Sequence, residues 1–139
     1  SDVYKRQSMM LAQAIVESGW GGSRFAQKGN ALFGQWTWDK QKGISPMGIE
    51  RPNFAVKSFK NLQDSVDAYI LNLNTHPAYS KLRNYRKFVG NPQNFEGNKF
   101  ARYLDKYAII GFEYVKKINS MIEKNDLEKL NSLRFKQEN

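Results

Sequence analysis

From Met9 to Val16 the chain leaves a helix almost no polar face, with only Gln13 interrupting Met9, Met10, Leu11, Ala12, Ala14, Ile15 and Val16. A helix that is apolar nearly all round must be covered by its neighbours, so Val3 to Glu17 reads as a buried helix around which the rest packs. It has to stop at Gly19, because Ser18-Gly19-Trp20-Gly21-Gly22 supplies the backbone freedom of a tight C-terminal turn. The apolar run falls well short of the roughly 18–20 residues that span a bilayer. A chain of 139 residues that is 40% hydrophobic can bury one core, and one domain over 1–139 is expected.

A second helical turn is predicted from Arg24, closing with Asn30-Ala31-Leu32-Phe33-Gly34. Residues 35–59 differ in character. Trp36, Trp38, Gly43, Pro46, Gly48 and Pro52 mix turn formers with short β-prone pieces, which predicts a small β-hairpin lobe. Helical patterning returns at Asn61, a capping residue ahead of a stripe made by Leu62, Val66, Tyr69, Ile70 and Leu73. Further helices are expected over Tyr79–Val89, over Asn94–Lys106 with Phe95, Phe100 and Leu104, and after Gly111 with Val115, Ile118, Met121 and Ile122. Leu127, Leu130 and Leu133 either extend the last one or form a short final helix, with a loose basic tail after Arg134. The fold class is therefore mainly α, helical over about 1–34 and 60–134, with the β lobe between.

Composition removes whole classes of chemistry. Cysteine is absent and His76 is the sole histidine, so neither a Cys/His zinc site nor a cysteine nucleophile can be built, and no metal or cofactor is expected. A Ser-His-Asp triad would have to use His76, which sits before Pro77 without any G-x-S-x-G elbow. The 22 Lys and Arg against 13 Asp and Glu, a formal +9, favour anionic partners such as an acidic wall polymer, acidic lipid or nucleic acid. The cations are scattered rather than gathered in a block.

Glu17 stands out among the acids. It closes the apolar helix, where burial and the negative end of the helix dipole both disfavour a carboxylate and push its pKa up. A carboxylic acid kept protonated near neutral pH is what a glycosidic leaving oxygen needs from a general acid. The plainer alternative is a Glu that has reached solvent at a helix end. Trp20, Phe25, Phe33, Trp36 and Trp38 lie close behind in sequence. Sugar rings lay their C–H faces on such side chains while Asn30, Gln35 and Thr37 could take hydroxyls. Phe25, Leu32 and Phe33 read as core; Trp36 and Trp38 alternate, which exposes one face of the lobe. Inverting glycosidases hold a second carboxylate about 6.5–9.5 Å away and retaining ones about 5–5.5 Å. Only Asp39 and Glu50 lie between Gly34 and Lys60, and Glu50 by itself reads first as a surface charge paired with Arg51.

The run Leu11-Ala12-Gln13-Ala14-Ile15-Val16-Glu17-Ser18-Gly19-Trp20-Gly21-Gly22-Ser23-Arg24-Phe25-Ala26, continued by Gly29-Asn30-Ala31-Leu32-Phe33-Gly34-Gln35-Trp36, closely resembles the signature of glycoside hydrolase family 73, the glucosaminidase superfamily. The Phe33–Trp36 run and Asn72-Leu73-Asn74-Thr75-His76 are most similar to its Bax-type subgroup, and the likeness covers about Val3 to Ile122. The resemblance implies a lysozyme-like helical lobe with a mobile β lobe, and hydrolysis of the β-1,4 bond after N-acetylglucosamine in peptidoglycan. It puts the catalytic acid on Glu17 and a tyrosine near the catalytic centre on Tyr107. The second acid, in a looser motif, falls on Glu50; alternatively the substrate's own 2-acetamido group is the nucleophile.

Substrate-binding candidates are therefore Trp20, Asn30, Gln35, Trp36 and Trp38. A muramidase or lytic transglycosylase would suit one essential Glu equally, and a non-catalytic wall-binding module would need only the tryptophans. A nucleic-acid protein would rest on charge alone, without a recognisable motif. The substrate implies the bacterial envelope and a monomer on glycan strands. There is no signal peptide at Ser1. The chain begins without Met, so a mature fragment that has lost its targeting sequence is expected.

Overall fold

The computed structural model describes residues 7–50, 52–91, 94, 96–108 and 111–132, with side chains up to Lys129. Val3, Arg51, Phe95, Leu133 and the basic tail lie outside the described residues, and so does the side chain of Leu130. In chain order the described helices are α1 Gln7–Ser18, α2 Arg24–Gly29, α3 Leu62–Thr75, α4 Ser80–Val89, α5 Gly97–Ala101 and α6 Phe112–Lys124. Strands β1 Trp36–Thr37, β2 Gly43–Ile44 and β3 Ala55–Lys57 fall between α2 and α3. The fold is mainly helical with one small antiparallel sheet. The sheet order is β1-β3-β2, with Trp36 opposite Val56 and Gly43 opposite Lys57. Its middle strand comes last in sequence, so both earlier strands pair with β3 rather than with each other as a simple hairpin. No described helix is long and apolar enough to cross a membrane.

The chain packs as two compact units, Ala14–Asn72 and Ser1–Gln13 with Leu73–Asn139. In the first, the sheet unit, Ile15, Ala26, Ala31, Phe33, Ala55, Val56 and Tyr69 are buried. The Phe33 ring stacks on Tyr69 with centroids 4.1 Å apart and planes at 16°. This ties the segment after α2 to α3. Asn61 Oδ1 accepts from the Asp64 amide at 2.8 Å, the helix cap that the sequence predicts. Of the expected stripe, Tyr69 and Leu73 are buried, whereas Leu62, in the first turn, is exposed.

The second, helical unit buries Met9 and Ala12 of α1, Leu82 of α4, Phe100 and Ala101 of α5, and Tyr114, Val115, Ile118 and Ile122 of α6. Those four α6 positions recur at helical spacing, and α5 packs on α6. A side chain at Gly97 would collide with Ser8 Oγ, so glycine there permits the close approach of α5 to α1. Arg83 closes the C-terminus of α3, its Nη1 donating to Leu73 O at 3.0 Å and His76 O at 2.8 Å. His76 Nδ1 accepts from the Ala78 amide at 3.1 Å and caps the 3-10 turn Pro77–Tyr79.

One helical expectation is corrected in its details and another is decided between its two forms. The stretch Asn94–Lys106 is not one helix: α5 gives way to a 3-10 turn, Arg102–Leu104. After α6, Asp126 takes a positive φ of 54°, which ends the helix, and Leu127–Ser132 is a separate short 3-10 segment, the second of the two forms expected.

Candidate active site

Glu17 sits in the last turn of α1. It is half-buried rather than enclosed, because the apolar girdle of α1 is only partly covered: Met10 and Val16 are half-buried and Leu11 is exposed. The helix then ends in a knot of hydrogen bonds. Buried Ser18 donates from Oγ to Ala14 O at 2.5 Å and accepts from the Gly21 amide at 2.8 Å. The Trp20 amide donates to Ile15 O at 2.9 Å and the Ser23 amide to Ser18 O at 3.0 Å. These bonds satisfy helix-end carbonyls and hold Gly19, Trp20 and Gly21 at φ of 56°, 58° and 76°. For Trp20 this left-handed backbone costs about 1–2 kcal/mol. The same turn leaves its indole 66% exposed, so the strain is not compensated by burial of the ring.

The segment after α2 returns to this carboxyl. Ser23 Oγ caps α2 by accepting from the Ala26 amide at 3.1 Å. Asn30, left-handed at φ 51°, ends the helix, and its Nδ2 donates to Phe59 O at 3.1 Å. Four residues on, Gly34 has φ +64°, and the place a β-carbon would take lies 2.7 Å from Glu17 Oε2 and 3.5 Å from its Cδ. The backbone at Gly34 thus lies directly against the carboxyl group. Gln35 is anchored on both sides, its carbonyl accepting from the Lys57 amide at 2.7 Å and its Nε2 donating to Ala68 O at 3.4 Å.

Strand β1 then presents aromatics outward. Trp36 is 49% exposed and stacks on Phe54, centroids 4.0 Å apart at 21°. Thr37 is half-buried and Trp38 is 72% exposed, so the alternation expected from the sequence is present. Phe54, which sequence reasoning passed over, is the platform under Trp36; the pairing of β1 with β3 supplies the signal that would have found it. Gly34 was also missed as a site residue, although it lies inside the Phe33–Trp36 motif. Phe33 is core, as expected, whereas Phe25 and Leu32 are half-buried, and Phe25 carries the Arg24 guanidinium 5.0 Å above its ring.

Glu17, Trp20, Asn30, Gln35, Trp36, Trp38 and Glu50 therefore all belong to the sheet unit. Glu50 is exposed on the connection between β2 and β3, near exposed Met47 and Ile49. Its expected partner Arg51 lies outside the described residues.

Tyr107 belongs to the helical unit. There its ring stacks on Tyr114 at 5.6 Å and 7°, and Tyr79 lies 6.2 Å away. Gln13 Nε2 donates to Tyr114 Oη at 3.0 Å in a buried pair. Burial, together with the negative charge of Asp105, pushes the Tyr79 hydroxyl up to about 12. Among the described residues no group of three or more His, Cys, Asp or Glu side chains converges as a metal site would require. The sheet unit offers instead a carboxyl held against a glycine backbone, with exposed indoles in the same unit. Such groups can donate a proton and stack on a sugar.

Comparison with known proteins gives the same direction. The model of the glucosaminidase family, described as mannosyl-glycoprotein endo-beta-N-acetylglucosaminidase, matches residues 2–127. The chain is similar to Protein bax of Escherichia coli (strain K12), 32% identical over 119 residues that make up 85% of this chain and 42% of that protein. It thus spans less than half the length of this curated relative. No solved structure matches it.

Proposed function

The chain belongs to the glucosaminidase family, and from that premise we propose that it hydrolyses the β-1,4 bond following N-acetylglucosamine in peptidoglycan, with Glu17 as general acid. The observation that carries this reading is the Glu17 carboxyl against the Gly34 backbone, in a unit that exposes Trp20, Trp36 and Trp38. Glu17 gives its proton to the leaving oxygen as an oxocarbenium-like transition state develops. Trp36, stiffened by its stack on Phe54, and the strained Trp20 are sugar platforms; Trp38 is a third. The side-chain amide nitrogens of Gln35 and Asn30 already serve backbone carbonyls, so their substrate role is through their remaining acceptors or through the backbone they hold.

The attack on the anomeric carbon has two routes. Glu50 activates water from the opposite face, or the 2-acetamido oxygen of the substrate is the nucleophile. The Glu50→Gln variant separates them, because only the first route loses its rate. The role of Tyr107 in the centre rests on the family resemblance and is tested by Tyr107→Phe. Location in the bacterial envelope follows from the substrate, and the chain is proposed to act as a monomer.

The test is mass spectrometry of borohydride-reduced products from purified peptidoglycan, digested with the parent chain and with Glu17→Gln. Reduced ends on N-acetylglucosamine, absent with the variant, are expected. Ends on muramic acid, or anhydro products, would reassign the bond to a muramidase or lytic transglycosylase. Wall binding without cleavage by either chain would make this a binding module.

A further inference from the structure

We infer that Gly34 is a positioning residue for the Glu17 carboxyl: the absence of a side chain there is what lets the acid occupy its working place. The inference rests on the reading of Glu17 as the acid and goes beyond it by assigning a second residue to the same step. Its basis is steric. A β-carbon at position 34 would stand 2.7 Å from Glu17 Oε2, a separation that β-carbons essentially never show. One of the two groups must then move.

The backbone is the group that cannot yield. Phe33, 3% exposed, is stacked on Tyr69, and Gln35 is hydrogen-bonded through its carbonyl to the Lys57 amide and through its side chain to Ala68 O. Residue 34 is therefore suspended between one neighbour fixed to α3 and another fixed to both β3 and α3. The flexible partner is the glutamate side chain, which a methyl group at 34 would turn away from its place. Misplacing a reacting group by about 1 Å costs on the order of a hundredfold in rate.

Backbone strain must be separated from this contact, since Gly34 also has φ +64°. Gly48 provides the control: its φ is +81°, yet an added β-carbon there meets nothing within 4 Å. Gly34→Ala and Gly48→Ala thus share an unfavourable left-handed backbone, and only the first displaces the carboxyl.

The experiment uses the full chain. Gly34→Ala, Gly48→Ala and Glu17→Gln are compared for kcat and KM on soluble peptidoglycan fragments, and for the carbon-13 shift of the Glu17 carboxyl carbon after labelling with glutamate. The loss of one resonance in Glu17→Gln makes the assignment. Gly34→Ala should lose on the order of a hundredfold in kcat with little change in KM, and should move the Glu17 resonance. Gly48→Ala should do neither. Equal rates and an unmoved resonance in the two alanine variants would overturn the inference. Cleavage by Glu17→Gln at the parent rate would sink the reading of the acid itself; a moved resonance in Gly34→Ala would then still uphold Gly34 as the residue that seats the carboxyl, and an unmoved one would overturn both. Should Gly34→Ala fail to fold, adding Glu17→Asp withdraws the carboxyl by one methylene and should restore folding. Failure to restore it would count against the contact.

Discussion

The two units of this chain expose different aromatics, tryptophans in one and phenylalanines in the other. In the helical unit, Tyr79, Phe100 and Tyr114 are buried, Tyr114 hydrogen-bonded to buried Gln13, while Phe88 of α4 and Phe112 of α6 stand exposed. Helix ends there are closed by ordinary means, Arg83 on the carbonyls of α3 and His76 on the turn after it. In the sheet unit, Phe33 and Tyr69 are buried and the tryptophans are turned outward. Trp20, Trp36 and Trp38 are all exposed, one of them on a left-handed backbone that disfavours it. A carboxyl lies against a glycine in the same unit. Exposed apolar surface and backbone strain both reduce stability, so a fold keeps them where something besides stability is gained. The exposed tryptophans and the left-handed turn thus lie in the unit that also holds the Glu17 carboxyl.

Five substitutions or conditions test whether cleavage and stability divide between the two units. The largest effect is expected for Glu17→Gln, which should lower the rate of glycan cleavage by about 10²–10⁴-fold while leaving the melting temperature almost unchanged. A large loss of stability with retained cleavage would place Glu17 on the structural side. Next is Leu82→Ala in the helical unit. Leu82 is fully buried, so its truncation should cost about 2–5 kcal/mol in denaturant unfolding. Activity per folded molecule should be preserved, and its collapse would show the division to be too sharp.

Tyr79 gives a pH signature to the helical unit. Its hydroxyl titrates at about 12 in the folded chain, above the ordinary value of 10.0, because burial and Asp105 disfavour the phenolate. The protonated form is thus the one the fold favours. Its contribution is complete below pH 10, declines as the pH rises from 10 to 12, and amounts to no more than about 3 kcal/mol. Unfolding curves measured across that range should show the decline in the parent chain and a shallower one in Tyr79→Phe. Equal slopes would remove Tyr79 as the cause.

Smaller effects return to the sheet unit. Trp36→Ala should weaken binding of glycan fragments several-fold, about 0.5–1.5 kcal/mol by calorimetry, with a minor change in stability because the indole is half-exposed. Unaltered affinity would leave the tryptophan without its proposed role. Smallest, Asn61→Ala removes the cap of α3 and should cost about 1 kcal/mol of stability with kcat unchanged.

Much of the fold was legible because it depends on local periodicity. The glycines after Ser18, the cap at Asn61, the stop before Pro77 and the break at Gly111 each act within a few residues, and all four mark element ends in the structure. The alternation of Trp36 and Trp38 was readable for the same reason. Burial was less so. Phe25 and Leu32 have the composition of core residues, yet both are half-buried, because whether a surface is covered depends on segments far away in sequence. The expected hairpin became a three-stranded sheet because pairing partners are set by the return of β3, which no local pattern in residues 36–44 encodes.

For the candidate site, the local features are readable without the fold: an apolar helix ending in Glu17, a glycine turn, and tryptophans close behind. Those features come from residue type and spacing along one helix and one turn. It takes the folded chain to bring Gly34 against the carboxyl, Phe54 under Trp36, and Asn30 and Gln35 onto Phe59 O and Ala68 O. Each of these contacts joins residues from different elements. Their distances are set by how a sheet and a helix pack together, not by the period of either one alone.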